Sequence, residues 1–207
     1  MRTSDIVYDQ LRMMITTAQL KPGSVLIEND LSKTLNAGRT PIREALNRLN
    51  LEHFVRIIPR QCILVSDMPL HELESIYQMR HTLSILEGEL AATKRDNKQL
   101  RDIKVLVNKL CAQNDPEKRV LLDREFHILL SSMTGNIFLQ RQMDILLDLS
   151  IRMLFVYKEN IDSIDDAVIE EYEDICIYLE QRNVNKLISC LQQHVRHFRD
   201  KFLVRNV

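Results

Sequence analysis

The chain has 207 residues, enough for one large domain or two small ones, with 28 Lys/Arg against 29 Asp/Glu and a formal net charge of −1. Near-neutrality excludes a uniformly basic nucleic-acid coat, and no apolar run reaches the roughly 18–20 residues of a membrane span. Four cysteines without a CxxC pair exclude a zinc ribbon or a thiol redox motif, so the sequence predicts a cytoplasmic protein with reduced thiols.

Few glycines and prolines and no tryptophan, among many Leu, Ile, Met, Glu, Lys and Arg, predict a mainly α protein. Charge is not evenly spread. Residues 1–65 carry nine Lys/Arg against six Asp/Glu, whereas residues 66–207 carry nineteen against twenty-three. A weakly basic N-terminal module precedes an acidic body, an asymmetry that fits nucleic-acid contact by the former.

Taken in order, Ile6, Leu11, Met14, Ile15 and Ala18 recur at helical spacing and predict a helix near 4–19. Lys21-Pro22-Gly23-Ser24 stops it. A short helix over Glu28–Leu35, the connection Asn36-Ala37-Gly38 and a helix over Arg39–Leu51 form a helix-turn-helix pattern. Pro41 suits a first helical turn, because its missing N–H costs little there. Arg39 and Arg43 stand four apart on one face, while Ala45, Leu46 and Leu49 form the apolar back. This arrangement suits entry of the helix N-terminus into a major groove. The β-rich runs 54–58 and 62–65 flank Pro59-Arg60-Gln61 and predict a hairpin wing with Arg60 near its tip.

Ser66-Asp67-Met68-Pro69 reads as a linker, giving a DNA-binding domain over 1–66, a linker over 67–69 and a helical domain over 70–207. In the latter, helices are predicted near 70–95, 98–113, 117–133, 136–160, 164–181 and 183–204, separated by Asp115-Pro116, Gly135-Asn136, Asp162-Ser163 and Arg182-Asn183. Short connections make this a six-helix antiparallel bundle.

The run Leu20-Lys21-Pro22-Gly23-Ser24, then Ile27-Glu28-Asn29-Asp30-Leu31, then Arg39 to Leu49 resembles the winged helix-turn-helix of the GntR family of bacterial transcription regulators. The bundle resembles the C-terminal FCD domain of the family's FadR-like branch. The resemblance rests there on Tyr77-Gln78-Met79-Arg80 with Ala91-Ala92, on Asp123-Arg124-Glu125-Phe126-His127 and on Gly135-Asn136-Ile137-Phe138-Leu139. It implies a homodimeric regulator, a repressor in function class, that binds double-stranded palindromic operator DNA under control of a small organic acid. It implies no enzymatic activity.

By the same resemblance, Arg39 and Arg43 are the main DNA contacts. Thr40 adds a backbone or thymine-methyl contact, and Asn29 and Arg60 lie in lesser contact positions. Arginine pairs bidentately with guanine O6 and N7. The competing role for Arg43 is a surface pair with Glu44 or Asn47; Arg48 and Arg56 read as surface charges. Gly38 stands where the family often has Ser, and Cys62 stands at the family's wing glycine, which would strain a left-handed backbone there.

In the bundle, Asp123, His127 and His194 match three positions of the family's Asp-plus-three-His metal set, and Tyr172 falls at the fourth. Three such ligands can hold Zn, Ni or Mn together with water or an acid. In the alternative, the metal is lost and Tyr172 bonds the effector. Arg80 is a candidate partner for an effector carboxylate, or else pairs with Glu87; Arg152, Tyr77 and Tyr157 are further candidates for lining the cavity. His197 reads as exposed, and His71 and His81 show no evident partner. Two other functions compete: a regulator with a metal-free bundle answering another ligand or partner, and a metal-dependent hydrolase built on Asp123, His127 and His194.

Overall fold

The computed structural model describes residues 2–157 and 166–203. Packing divides the chain into two compact units, Met1–Pro69 and Leu70–Val207, each described by itself.

The first unit runs α1 (Thr3–Thr16), β1 (Val25–Leu26), α2 (Glu28–Thr34), α3 (Arg39–Leu51), β2 (Val55–Ile58) and β3 (Cys62–Val65). The predicted hairpin forms, with Ile58 opposite Cys62 and Val55 opposite Val65. A third strand joins it: β1 pairs antiparallel with β3 through Val25↔Leu64 and Leu26↔Ile63, giving the order β1-β3-β2. Two residues are too few for an alternation pattern, so this strand is invisible to periodicity. α1 ends three residues earlier than its apolar spacing suggests, because Ala18 turns left-handed at φ 54°. Leu11, Ile15, Ile42, Leu46, Leu49 and Phe54 are fully buried in this unit. Each such side chain contributes about 1.5–3 kcal/mol relative to exposure.

The helix-turn-helix turn is a Schellman motif. Asn36 sits left-handed at φ 46°, its N–H reaches Lys33 O, and Ala37 N–H reaches Ser32 O at 3.1 Å. Asn tolerates that conformation better than most residues. Gly38 follows as the N-cap of α3 at φ −66°, an ordinary value, so a small residue suffices and left-handed freedom is not required. The expected strain at Cys62 does not arise. Cys62 lies in extended pairing with Ile58, and the left-handed residue of the wing turn is Arg60, at φ 62°.

The second unit contains α4 (Leu70–Lys94), α5 (Asn97–Ala112), α6 (Pro116–Ser132), α7 (Ile137–Val156), α8 (Asp166–Glu180) and α9 (Val184–Leu203). The parts of the predicted helices at 158–160, 164–165 and 204 lie outside the described residues. Caps set the starts. Asp96 and Gln99 form a capping box, Asp115 caps Lys118 N–H ahead of Pro116, and Asn136 accepts from Phe138 and Leu139. Ile103, Phe126, Leu130, Ile175, Leu179 and Leu187 form the centre of the core.

The helix ends are tied reciprocally. Arg95, just beyond α4, donates to Leu179 O and Glu180 O at the end of α8, both at 3.0 Å. Arg182, just beyond α8, donates to Ala92 O, Thr93 O and Arg95 O at the end of α4. Each guanidinium satisfies carbonyls that its neighbour's last turn leaves open, and its charge suits the negative helix end. α4 and α9 approach closely at Gly88, where an added Cβ would lie 2.9 Å from Ile188 Cγ1 and 3.3 Å from its Cα. That contact holds α9, and with it His194, close against α4. Among the described residues no helix is long and apolar enough to cross a membrane, and the four cysteines are free.

Candidate functional site

Two sites emerge, one in each unit. On α3 the inner stripe Ile42, Ala45, Leu46 and Leu49 is buried, which leaves Arg39, Thr40, Arg43, Glu44 and Asn47 exposed on the outer face. Asn29 is exposed in the first turn of α2, and Arg60 is exposed at the wing turn. The partner of Arg43 is neither Glu44 nor Asn47. Its Nε lies 2.9 Å from both carboxylate oxygens of Glu28, fifteen residues earlier on α2. Arg48 is held by Asp5 at 3.0 Å and stacks on the Tyr8 ring at 3.8 Å, which gives it a structural role.

In the bundle, α6 carries Asp123 and His127 one turn apart, and α9 brings His194 against them. His127 Nε2 is 3.2 Å from Asp123 Oδ1 and 3.2 Å from His194 Nε2, and His194 Nε2 is 4.0 Å from Asp123 Oδ1. Ligand atoms bound to one metal at about 2.0–2.1 Å stand roughly 3.3 Å apart in a tetrahedron, so these separations fit a common ion. Tyr172 on α8 reaches the same oxygen: its Oη donates to Asp123 Oδ1 at 2.6 Å. The phenol, 1 % exposed, packs edge-on to His194 and Phe126.

Glu171, beside Tyr172, completes the arrangement. Its Oε2 is 3.0 Å from His194 Nδ1, and its Oε1 is 2.8 Å from His197 Nδ1. A carboxylate accepts only, so Nδ1 of His194 carries the proton and Nε2 turns its lone pair to the cluster, the form a metal needs. His197 is thus half-exposed and anchored, not simply exposed as its sequence position suggests. Glu171 had no signal of its own in the sequence, where it is one acid in the run Glu170-Glu171-Tyr172-Glu173-Asp174.

Electrostatics set the cluster's charges. Burial alone would raise the Asp123 carboxyl, but His127, His194 and the Tyr172 hydrogen bond outweigh it and hold it well below the usual carboxylate range. Burial, with the Asp123 charge, pushes Tyr172 well above an ordinary phenol. Burial and the neighbouring His127 lower His194 against the opposing pull of Glu171 and Asp123, favouring neutral imidazole. Burial also raises Glu87 to about 7, although Ser131 hydrogen-bonds it at 2.6 Å and Arg80 is near.

Arg80 is 4 % exposed, and its Nε has no hydrogen bond. Burial lowers its pKa, and the charges of Asp123, Glu87 and Tyr172 oppose that. Arg152 is fully buried on α7. Tyr77 packs instead with His81, centroids 5.5 Å apart, and under the Arg199 guanidinium at 4.6 Å, which gives His81 a partner the sequence did not reveal. Tyr157 is exposed at the C-cap of α7.

Residues 3–65 match the family of bacterial regulatory proteins described as the gntR family, and residues 75–197 match the FCD domain. The chain is 23% identical over 194 residues to an uncharacterised HTH-type regulator, YdhC, of Bacillus subtilis, covering 92% of this chain and 86% of that one. It is 22% identical over 199 residues to the HTH-type transcriptional repressor GlaR of Escherichia coli, covering 91% and 90%. The solved structure of Escherichia coli McbR/YncC superposes with a TM-score of 0.79 at 22% identity, covering 95% of each chain. These relatives are transcription regulators and not enzymes, so the hydrolase reading of the Asp/His/His cluster is set aside. The winged helix-turn-helix, the helical bundle behind it and both domain matches make this chain a member of the GntR family with a C-terminal FCD domain, a DNA-binding transcription regulator.

Proposed function

We propose that the protein is a homodimeric repressor of the cytoplasm, in which residues 1–66 read a palindromic operator and residues 70–207 bind a small organic acid that releases it. Arg39 and Arg43 carry base or phosphate contacts, with Thr40, Asn29 and Arg60 beside them. Their common exposure around the N-terminus of α3 supports this reading. The naming of GlaR as a repressor supports the sign of control.

The observation that carries the effector reading is Arg80. A buried guanidinium with an unbonded Nε suits an effector carboxylate, for which it is the countercharge. Asp123, His127 and His194 would hold a divalent Zn, Ni or Mn ion, which supplies a Lewis-acidic seat for an acid's oxygen. The chain's own residues do the rest. Glu171 fixes the tautomer of His194, Tyr172 orients Asp123, and Arg80 supplies the countercharge. The effector releases DNA to the extent that it binds one dimer arrangement better than the other.

A second reading has support from Tyr172, whose phenol already engages Asp123 as a metal would. There the bundle is metal-free and the effector bonds Tyr172 and Arg80. Elemental analysis with native mass spectrometry of the purified protein separates the two and reports the dimer mass. A thermal-shift screen of small carboxylic acids, with and without divalent metal, tests the effector class; absence of any stabilising acid overturns it. Arg39→Ala and Arg43→Ala are each expected to abolish the shift of operator DNA in a gel while leaving the dimer folded. Normal shifts by both would remove α3 from the interface.

A further inference from the structure

Arg43 is not loose on the outer face of α3. Its Nε is 2.9 Å from Glu28 Oε1 and 2.9 Å from Glu28 Oε2, and the carboxylate is the less exposed partner, at 26% against 63%. Glu28 is the first residue of α2, and Arg43 lies early in α3, so the pair spans the helix-turn-helix. Among the described residues neither terminal nitrogen of Arg43 makes a hydrogen bond. The acid takes the inner edge of the guanidinium and leaves the outer fork available.

We propose that Glu28 is a positioning and specificity residue for DNA reading: it fixes the Arg43 fork toward a guanine edge and cancels the charge that would otherwise draw Arg43 to any phosphate. This rests on the reading of α3 as the DNA-contacting helix. Two physical effects act together. A long side chain already held by its Nε loses less freedom when its terminal nitrogens meet guanine O6 and N7. Attraction to phosphate depends on net positive charge and is independent of sequence, so a neutralised pair contributes little to it. Bidentate pairing with a base acts at hydrogen-bond range and survives that neutralisation. An isolated surface pair often adds nothing measurable to stability, so the contact's effect is expected in discrimination, not in folding.

The test uses the full chain. A binding site is first selected from a random duplex library with the unaltered protein. Affinity for that site and for a scrambled duplex is then measured over a range of salt for the unaltered protein, Glu28→Gln, Glu28→Ala, Glu28→Asp and Arg43→Ala. Glu28→Gln and Glu28→Ala are expected to bind scrambled DNA severalfold tighter, to steepen the salt slope by about 1, and to lower the ratio of specific to non-specific affinity about tenfold. Glu28→Asp keeps an acid in the first turn of α2 but is one methylene short of Nε. It is expected to lower the ratio without tightening binding to scrambled DNA, which separates positioning from charge and from helix stability. Relaxed preference at one position of each half-site, found by repeating the selection with Glu28→Ala, marks the base that Arg43 reads. An unchanged ratio in all three Glu28 variants, with the ratio lowered in Arg43→Ala, overturns the proposal for Glu28 alone. An unaltered protein that selects no sequence, or an Arg43→Ala that keeps the full ratio, overturns the DNA-reading assignment on which it stands.

Discussion

Tyr172 and Asp123 meet through one short hydrogen bond, Oη to Oδ1 at 2.6 Å, which joins α8 to α6 inside the bundle. The phenol therefore stands beside the cluster of Asp123, His127 and His194 and orients its carboxylate. A neutral phenol donates where an imidazole would coordinate.

From this geometry, Tyr172→His is expected to add a ligand and tighten divalent-metal binding by at least about tenfold. Tyr172→Phe is expected to weaken it by about 10–100-fold, through loss of Asp123 orientation. Competition with a chromogenic chelator measures both. Equal affinities in the three proteins would place Tyr172 outside the metal's influence.

Glu171 hydrogen-bonds His194 Nδ1 through Oε2, and its Oε1 lies within ion-pair distance of His197 Nδ1. Glu171→Leu keeps most of the volume but removes both acceptor oxygens, so the proton on His194 Nδ1 loses its partner. Metal affinity is expected to fall about 10–100-fold with the circular dichroism spectrum unchanged. Unaltered affinity would show that the tautomer of His194 is set elsewhere.

The Glu87 carboxyl, raised to about 7 chiefly by burial, binds a proton in the folded state over a range where the unfolded chain has released it. Its contribution therefore favours folding in acid and is lost as pH rises from about 4.5 towards 7. Glu87→Gln mimics the protonated form, including the oxygen that Ser131 bonds. Relative to the unaltered protein, it is expected to gain stability between pH 5 and pH 8, approaching about 3 kcal/mol. Urea unfolding at both pH values measures this, and parallel pH profiles would refute it.

Gly88 faces Ile188 where α4 and α9 come closest. Gly88→Ala is expected to destabilise by about 1–3 kcal/mol, since a methyl must displace both a side chain and a backbone atom. The double variant with Ile188→Ala recovers part of the loss if the side chain is the obstacle. Thermal unfolding of the three variants would show full additivity if the two positions did not touch.

Much of the helical layout was legible because amphipathic spacing and capping residues are local. Asp115 and Asn136, both in the breakers the sequence shows, each mark a helix start with a side chain that reaches its own first turn. β1 was not legible, since two residues become a strand only when β3 offers its edge. In the wing, the left-handed residue is Arg60 and not Cys62, where the family's glycine falls, because turn register depends on how the strands pair.

The sequence by itself determined that α3 presents Arg39 and Arg43 on one face over an apolar back, because both properties repeat within a few residues of one helix. It also determined that Asp123 and His127 share a face of α6, for the same reason. Only the tertiary structure decided their partners. Glu28 reaches Arg43 across a Schellman turn, and His194, Tyr172 and Glu171 arrive on helices far along the chain. Pairings of this kind depend on which helices pack together and how closely. Here that packing follows from the small residue at Gly88 and the exchanged caps of Arg95 and Arg182, features whose meaning appears only once the helices are side by side.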